Sequence, residues 1–176
     1  HEGQALVLCE AGLPLGDLIG FAGRHGLVGI EKLAGIPGSV GGAVVGSAGA
    51  YGHSIKDVVE KVEIWDPDAR PGLKNSKGRA FGRRWLSQKE CEFSYRDSVF
   101  KTPRGKDWVI LRVIVKLKPP RPGLEGSKGQ AFKHRMLEVR RLQKISRDII
   151  KIREKKYRPG LRCPGSFFKN VKVADV

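Results

Sequence analysis

A fold that mixes α-helices with β-strands is what the sequence predicts, on three observations. The stretches "VVEKVEIWD" and "DWVILRVIVKLK" alternate apolar and polar residues, as half-buried strands do. Two other stretches, one near each end of the chain, repeat their apolar residues at steps of three and four, as amphipathic helices do. Between the first helix and the strands lies a glycine-dense segment, "GIPGSVGGAVVGSAGAYG" (Gly35 to Gly52), whose backbone can turn tightly or approach a ligand closely.

Each element follows in order. "ALVLC", Ala5 to Cys9, reads as a short apolar strand, and Gly12-Leu13-Pro14 as the turn that ends it. Leu15, Leu18, Ile19 and Ala22 then share one helical face, and Gly26 is placed to stop that helix. After the two alternating strands, Val139, Leu142, Ile145, Ile149 and Ile152 mark an amphipathic helix from His134 to Lys156, which "YRPGLRCPG" breaks. One internal repeat stands apart. "RPGLKNSKGRAF" (Arg70 to Phe81) and "RPGLEGSKGQAF" (Arg121 to Phe132) agree at nine of twelve positions and read as exposed loops, a duplicated insertion too short for a solenoid.

Length and composition bound the class. The 176 residues suit one domain, or one and part of another, and no apolar run reaches the length of a membrane span. The chain is expected to be soluble and, with no signal-peptide pattern, cytoplasmic. Cys9, Cys91 and Cys163 are odd in number and far apart, which fits reduced thiols; no pair has zinc-ligand spacing, and no metal is expected. The net charge is +16, and Lys133 to Arg158 alone holds eleven basic against three acidic residues. Such an excess favours phosphate-bearing partners, or is a solvated helix face with basic loops.

Three segments can carry chemistry. The first is "GIPGSVGGA", which matches neither the dinucleotide fingerprint nor a Walker loop and fits a structural turn as well as an anion-binding loop. In "CEFSYRDSVFK" (Cys91 to Lys101), a strand would point Tyr95 and Asp97 one way and Arg96 and Ser98 the other. Arg96 could then face a carboxylate or a developing enolate, or simply pair with an aspartate at the surface. In "CPGSFFKN" (Cys163 to Asn170), Ser166 is either turn punctuation or a proton donor helped by Lys169 and Asn170.

Together, "GLVGIEKLAGIPGSVGGAVVGSAGAYG", "CEFSYRDSVFK" and "GSFFKN", in this order, resemble the UDP-N-acetylenolpyruvoylglucosamine reductase family of bacterial cell-wall flavoenzymes. The resemblance implies an α+β fold: the second subdomain of a two-part FAD-binding domain of the PCMH (vanillyl-alcohol-oxidase-like) type, then a helix and the start of a substrate-binding domain. Residues 1–118 would be FAD-binding, 119–157 a basic loop and connecting helix, and 158–176 the beginning of the substrate domain. It implies bound FAD, NADPH as co-substrate, and UDP-N-acetylglucosamine enolpyruvate as the substrate reduced to UDP-N-acetylmuramate for peptidoglycan. A monomer with no specific nucleic-acid partner is expected.

The resemblance also assigns roles. Ser166 would protonate the substrate's α-carbon, and Arg96 would stabilise the enolate. Tyr51, Asn170 and Lys156 would lie near the substrate. Gly35, Ile36, Pro37, Gly38, Ser39, Val40, Gly41, Gly42, Ser47, Gly49 and Ala50 would line FAD. Ser47 stands where the family usually has Asn. The family's first glycine-rich loop, of GxGSN type, is expected before residue 1, and its catalytic glutamate after Val176, so the chain is expected to be a piece of a longer protein. Only "TPRGKD" separates Lys101 from the next strand, which implies the shorter type of the family. The alternative is a catalytically inactive basic module that binds nucleic acid through its repeats and long helix.

Overall fold

The computed structural model describes residues 3–67, 82–119 and 128–156, with the side chains of 128–132, 134 and 156 excepted. Its centre is a four-stranded antiparallel sheet. Strand β1 (Ala5–Glu10) is followed by helix α1 (Leu15–His25), a short helix α2 (Val40–Val45), and the two-residue strands β2 (Gly49–Ala50) and β3 (His53–Ser54). Then come β4 (Val59–Trp65), β5 (Arg83–Ser87), β6 (Val109–Leu117) and the long helix α3 (Lys128–Lys156). Spatial order in the main sheet is β1-β6-β4-β5, with Ala5 opposite Leu117, Val62 opposite Val113 and Val62 opposite Leu86.

The sheet is two-faced because its strands alternate. Val62, Ile64, Leu86, Val113, Val115 and Leu117 point into a core shared with Leu15, Leu18, Ile19 and Ala22 of α1 and with Val40 and Val44 of α2. The four residues that set the period of α1 are therefore the ones it buries. Gly26 ends α1 at φ +70, the left-handed conformation that glycine adopts without strain, and its N–H returns to the Ala22 and Gly23 carbonyls. On the opposite face of the sheet, Glu63 is buried under Arg112 and Arg83, and both guanidinium groups bond its carboxylate.

Cys9 and Cys91 are buried free thiols. Burial pushes their pKa values up to about 11 and about 12, so both stay protonated at neutral pH. Helix α3 seats Leu142 and Ile149 on the body, whereas Ile152, from the same predicted stripe, stays exposed. No helix among the described residues is long and apolar enough to cross a membrane.

Two expectations need correction, and one strand was not foreseen. The segment around Arg96 is a turn, not a strand, because Ser94 and Asp97 pair with each other across it. Helix α3 begins at Lys128, so the last five residues of the second repeat are helical rather than loop. Strand β5, the sheet's edge, has too few apolar residues for the alternation to show. The first repeat and residues 121–127 of the second lie outside the described residues.

Candidate functional site

Helix α2 is the pivot of the site, and the sequence makes it short and capped. Ser39 is its N-cap, its Oγ accepting the Gly42 N–H at 3.2 Å. At the other end, the Ala48 N–H reaches back to the Ala43 carbonyl (2.8 Å) and the Ser47 N–H to the Val44 carbonyl (3.1 Å). This is the double closure of a Schellman motif, and it demands a left-handed residue at Ser47, which has φ +43. Glycine or asparagine suits that conformation better than serine.

The glycine-dense loop that enters α2 is built against the first strand and its turn. The Val40 N–H bonds the Leu13 carbonyl (2.9 Å), and the Gly41 N–H bonds the Ala11 carbonyl (2.8 Å). A Cβ on Gly41 would come within 3.0 Å of the Ala11 Cβ. Three amides of the loop, those of Val40, Gly41 and Gly42, are thus occupied by the protein's own acceptors. Pro37 and Gly38 form the exposed edge; Gly38 holds φ +104, and nothing lies within 4 Å of where its Cβ would stand. A flat ligand chain fits against such an open backbone edge, so these residues suit a bound FAD.

Beyond α2, Tyr51 and Gly52 form the two-residue loop between β2 and β3, with φ +51 and φ +75. Positive φ at both loop positions is the hairpin turn whose first position normally goes to Asn, Asp or Gly. Here a tyrosine takes it, and 49% of its surface is exposed. The hairpin is held from below by the Ile55 N–H on the Ala48 carbonyl and by a capping box in which Ser54 and Asp57 bond each other's backbone. Gly49 must lack a side chain, since a Cβ there would meet the His53 carbonyl oxygen at 2.7 Å. Lys32 Nζ and His53 Nε2 share a hydrogen bond of 2.8 Å beside it.

The Arg96 turn is pinned to the same helix. Ser94 and Asp97 exchange two backbone hydrogen bonds (3.0 and 3.3 Å), leaving Tyr95 and Arg96 at the tip, Arg96 with φ +55. Buried Ser98 donates from Oγ to the Val45 carbonyl at 2.8 Å, which ties the turn to the last residue of α2. Lys101 Nζ donates to the Arg96 carbonyl (2.8 Å), and the Arg96 guanidinium lies 6.0 Å from the Tyr95 ring centroid. Four described residues other than glycine have positive φ, namely Ser47, Tyr51, Glu92 and Arg96, and three of them are candidate site residues. Such strain concentrates at functional sites.

The structure thus ties Ser39 to Gly42, Ser47, the hairpin of Gly49, Ala50 and Tyr51, and the Arg96 turn to one helix, while Gly35 to Gly38 lead into it. Ser166 and Asn170 lie outside the described residues, and Lys156 closes α3 with its side chain outside them. Sequence reasoning missed Ser98 and the hairpin. The Tyr-Gly pair inside "GAYGHS" was the available signal for the hairpin, and for Ser98 there was none.

Residues 1–70 match the FAD binding domain family. A solved reductase, the UDP-N-acetylenolpyruvylglucosamine reductase (MurB) of Thermus caldophilus, is similar at 30% identity and a TM-score of 0.61, over 94% of this chain and 48% of that one. The architecture is therefore that of the FAD-binding α+β domains. Among curated relatives, the UDP-N-acetylenolpyruvoylglucosamine reductase of Solibacter usitatus is 39% identical over 170 residues, covering 97% of this chain and 44% of its own length. That of Caldanaerobacter subterraneus subsp. tengcongensis is 40% identical over 111 residues, 63% of this chain and 32% of its own. The chain belongs to the UDP-N-acetylenolpyruvoylglucosamine reductase family, and it spans less than half the length of these relatives.

Proposed function

We propose that this chain carries the FAD-facing core and part of the substrate site of an NADPH-dependent reductase that converts UDP-N-acetylglucosamine enolpyruvate to UDP-N-acetylmuramate. The observation that carries the reading is the clustering of strained candidate positions next to one small helix: Ser47, Tyr51 and Arg96 all hold left-handed backbone in segments tied to the end of α2. The proposed division is FAD-binding for residues 1–118, a connecting helix within 119–157, and substrate-binding from 158.

FAD, when bound, supplies hydride transfer from NADPH to the β-carbon of the enolpyruvyl group. The exposed edge at Pro37 and Gly38 backs the cofactor. Arg96 turns its guanidinium toward the negative charge that develops on the substrate carboxylate and α-carbon, where a fixed cation works best. Tyr51 presents a phenol from a turn with no slack, which orients substrate. Ser166 delivers the proton to the α-carbon, with Asn170 and Lys156 near the substrate. The basic surplus draws anionic nucleotides in.

The test separates the two half-reactions. In a full-length reductase carrying this sequence, Ser166→Ala leaves flavin reduction by NADPH intact and slows reoxidation by the enolpyruvyl substrate by about 10²–10⁴-fold, the usual effect of losing a proton donor. Reoxidation at the wild-type rate would remove Ser166 from this role.

A further inference from the structure

Near its C-terminal end, α3 meets the first residue of the glycine-dense loop with Arg153 and Ile150. Arg153 Nε donates to the Gly35 carbonyl at 2.9 Å. Gly35 has φ +73, and a Cβ there would stand 2.8 Å from the Arg153 Cδ and 3.5 Å from the Ile150 Cγ1. The first residue of the loop is therefore shaped twice over to the arginine: its carbonyl is taken by the guanidinium, and its missing side chain makes room for the stem. The next amide, on Ile36, returns to the Leu33 carbonyl (3.2 Å), so the peptide that Arg153 grips is held on both sides.

We infer that Arg153 is a positioning residue for the FAD loop: it fixes the loop's first peptide to α3. A guanidinium suits the task, because a charged donor bonds a carbonyl more strongly than a neutral one and its planar head is pre-organised. The inference rests on reading Gly35 to Gly42 as the cofactor loop, and its consequence is geometric. Arg153 touches no reacting atom; it acts through the loop.

The test uses a full-length reductase carrying this sequence, with FAD as the probe, and two readouts. In Arg153→Met, hydrogen exchange at the Ile36 amide accelerates about tenfold or more, the scale expected when one charge-assisted hydrogen bond is lost. The FAD dissociation constant rises by a similar factor and the visible circular dichroism of the bound flavin changes, while the amides of β4 and β6 keep their protection. Arg153→Lys restores part of both effects. Gly35→Ala mimics Arg153→Met, and the two combined are less than additive, because each breaks the same contact. Unchanged Ile36 exchange together with an unchanged FAD dissociation constant in Arg153→Met overturns the inference. A wild-type full-length reductase that takes up no FAD refutes the cofactor reading of the loop, whereas faster Ile36 exchange in Arg153→Met still upholds the tie itself.

Discussion

Arg96→Gly sets stability against function at a single position. An L-residue in the left-handed region costs roughly 1–2 kcal/mol relative to the right-handed one. Glycine removes that strain, but its freer unfolded chain returns about 0.4–1 kcal/mol. The contact between the Arg96 guanidinium and the Tyr95 ring, 6.0 Å away and exposed, is worth about 0.5 kcal/mol at most. The two Ser94–Asp97 backbone bonds survive, as does the bond from Lys101, since the Arg96 carbonyl accepts it. The net change lies between about 0.5 kcal/mol lost and about 1.6 kcal/mol gained, centred on about 0.5 kcal/mol of added stability, or ~2 °C in Tm for a chain of this size. Glu92 is the control. It also has positive φ, at +49, and among the described residues its carboxylate engages an exposed ion pair with Arg104 at 2.9 Å, worth about 0–1 kcal/mol. Thermal and denaturant unfolding of both variants measure the stability arm. Substrate-driven flavin reoxidation in a full-length reductase measures the other, where Arg96→Gly falls by about 10²–10³-fold, as on removal of one transition-state donor, and Glu92→Gly does not. Loss of more than about 1 kcal/mol in Arg96→Gly would refute the strain argument. Reoxidation at the wild-type rate would refute the enolate role.

Two further outcomes follow from the same geometry. Ser47→Gly stabilises the chain by about 0.5–1 kcal/mol, since it relieves φ +43 at the close of α2 and gives up only a 3.5 Å contact with Ser54; a loss of stability on denaturant unfolding would contradict this. Glu63 makes stability depend on acid: the Arg112 hydrogen bond, foremost among several causes, holds its carboxyl below the usual carboxylate range. A depressed native pKa stabilises above the unfolded value, and the contribution is lost as pH falls through the native one. Glu63→Gln therefore lowers stability at pH 7 by about 1–2 kcal/mol and flattens the acid limb of the unfolding curve, and an unchanged limb would rule the carboxylate out as its source.

How legible this was in the sequence depended on range. Periodicity located α1, β4 and β6, because burial on one face writes a regular pattern into the chain. The left-handed Gly26 was equally plain, since glycine at the end of a helical stripe has a local cause. The turn at Arg96 was not legible. Tyr95 to Ser98 could be set on a strand, and only the pairing of Ser94 with Asp97 and the bond from Ser98 to Val45, 53 positions away, fold them back. The full length of α3 was hidden for another reason: its first residues carry the composition of a loop and gain their helical state by continuing a helix already begun. The candidate residues themselves came from resemblance to a family, which named them without revealing that they share strained backbone.

That shared strain accounts for the shape of the site. Neither Tyr51 nor Arg96 is carried by a regular element; each sits in a two-residue reversal whose backbone would be easier with glycine or asparagine. A reversal of two residues has almost no slack, so the direction of its side chain is set by its anchors. Those anchors converge on α2, through the Ile55 N–H on Ala48 for the hairpin and the Ser98 hydroxyl on Val45 for the turn. Helix α2 in turn is immobilised by burial of Val40 and Val44 and by the fit of Gly41 on Ala11. The stability given up at Ser47, Tyr51 and Arg96 is small beside the core that supports them, and what it secures is placement. Moving Arg96 off the site requires breaking a buried hydroxyl bond or unwinding a packed helix. A longer, relaxed loop would present the same guanidinium with more freedom and with less of its charge at the position proposed for the enolate.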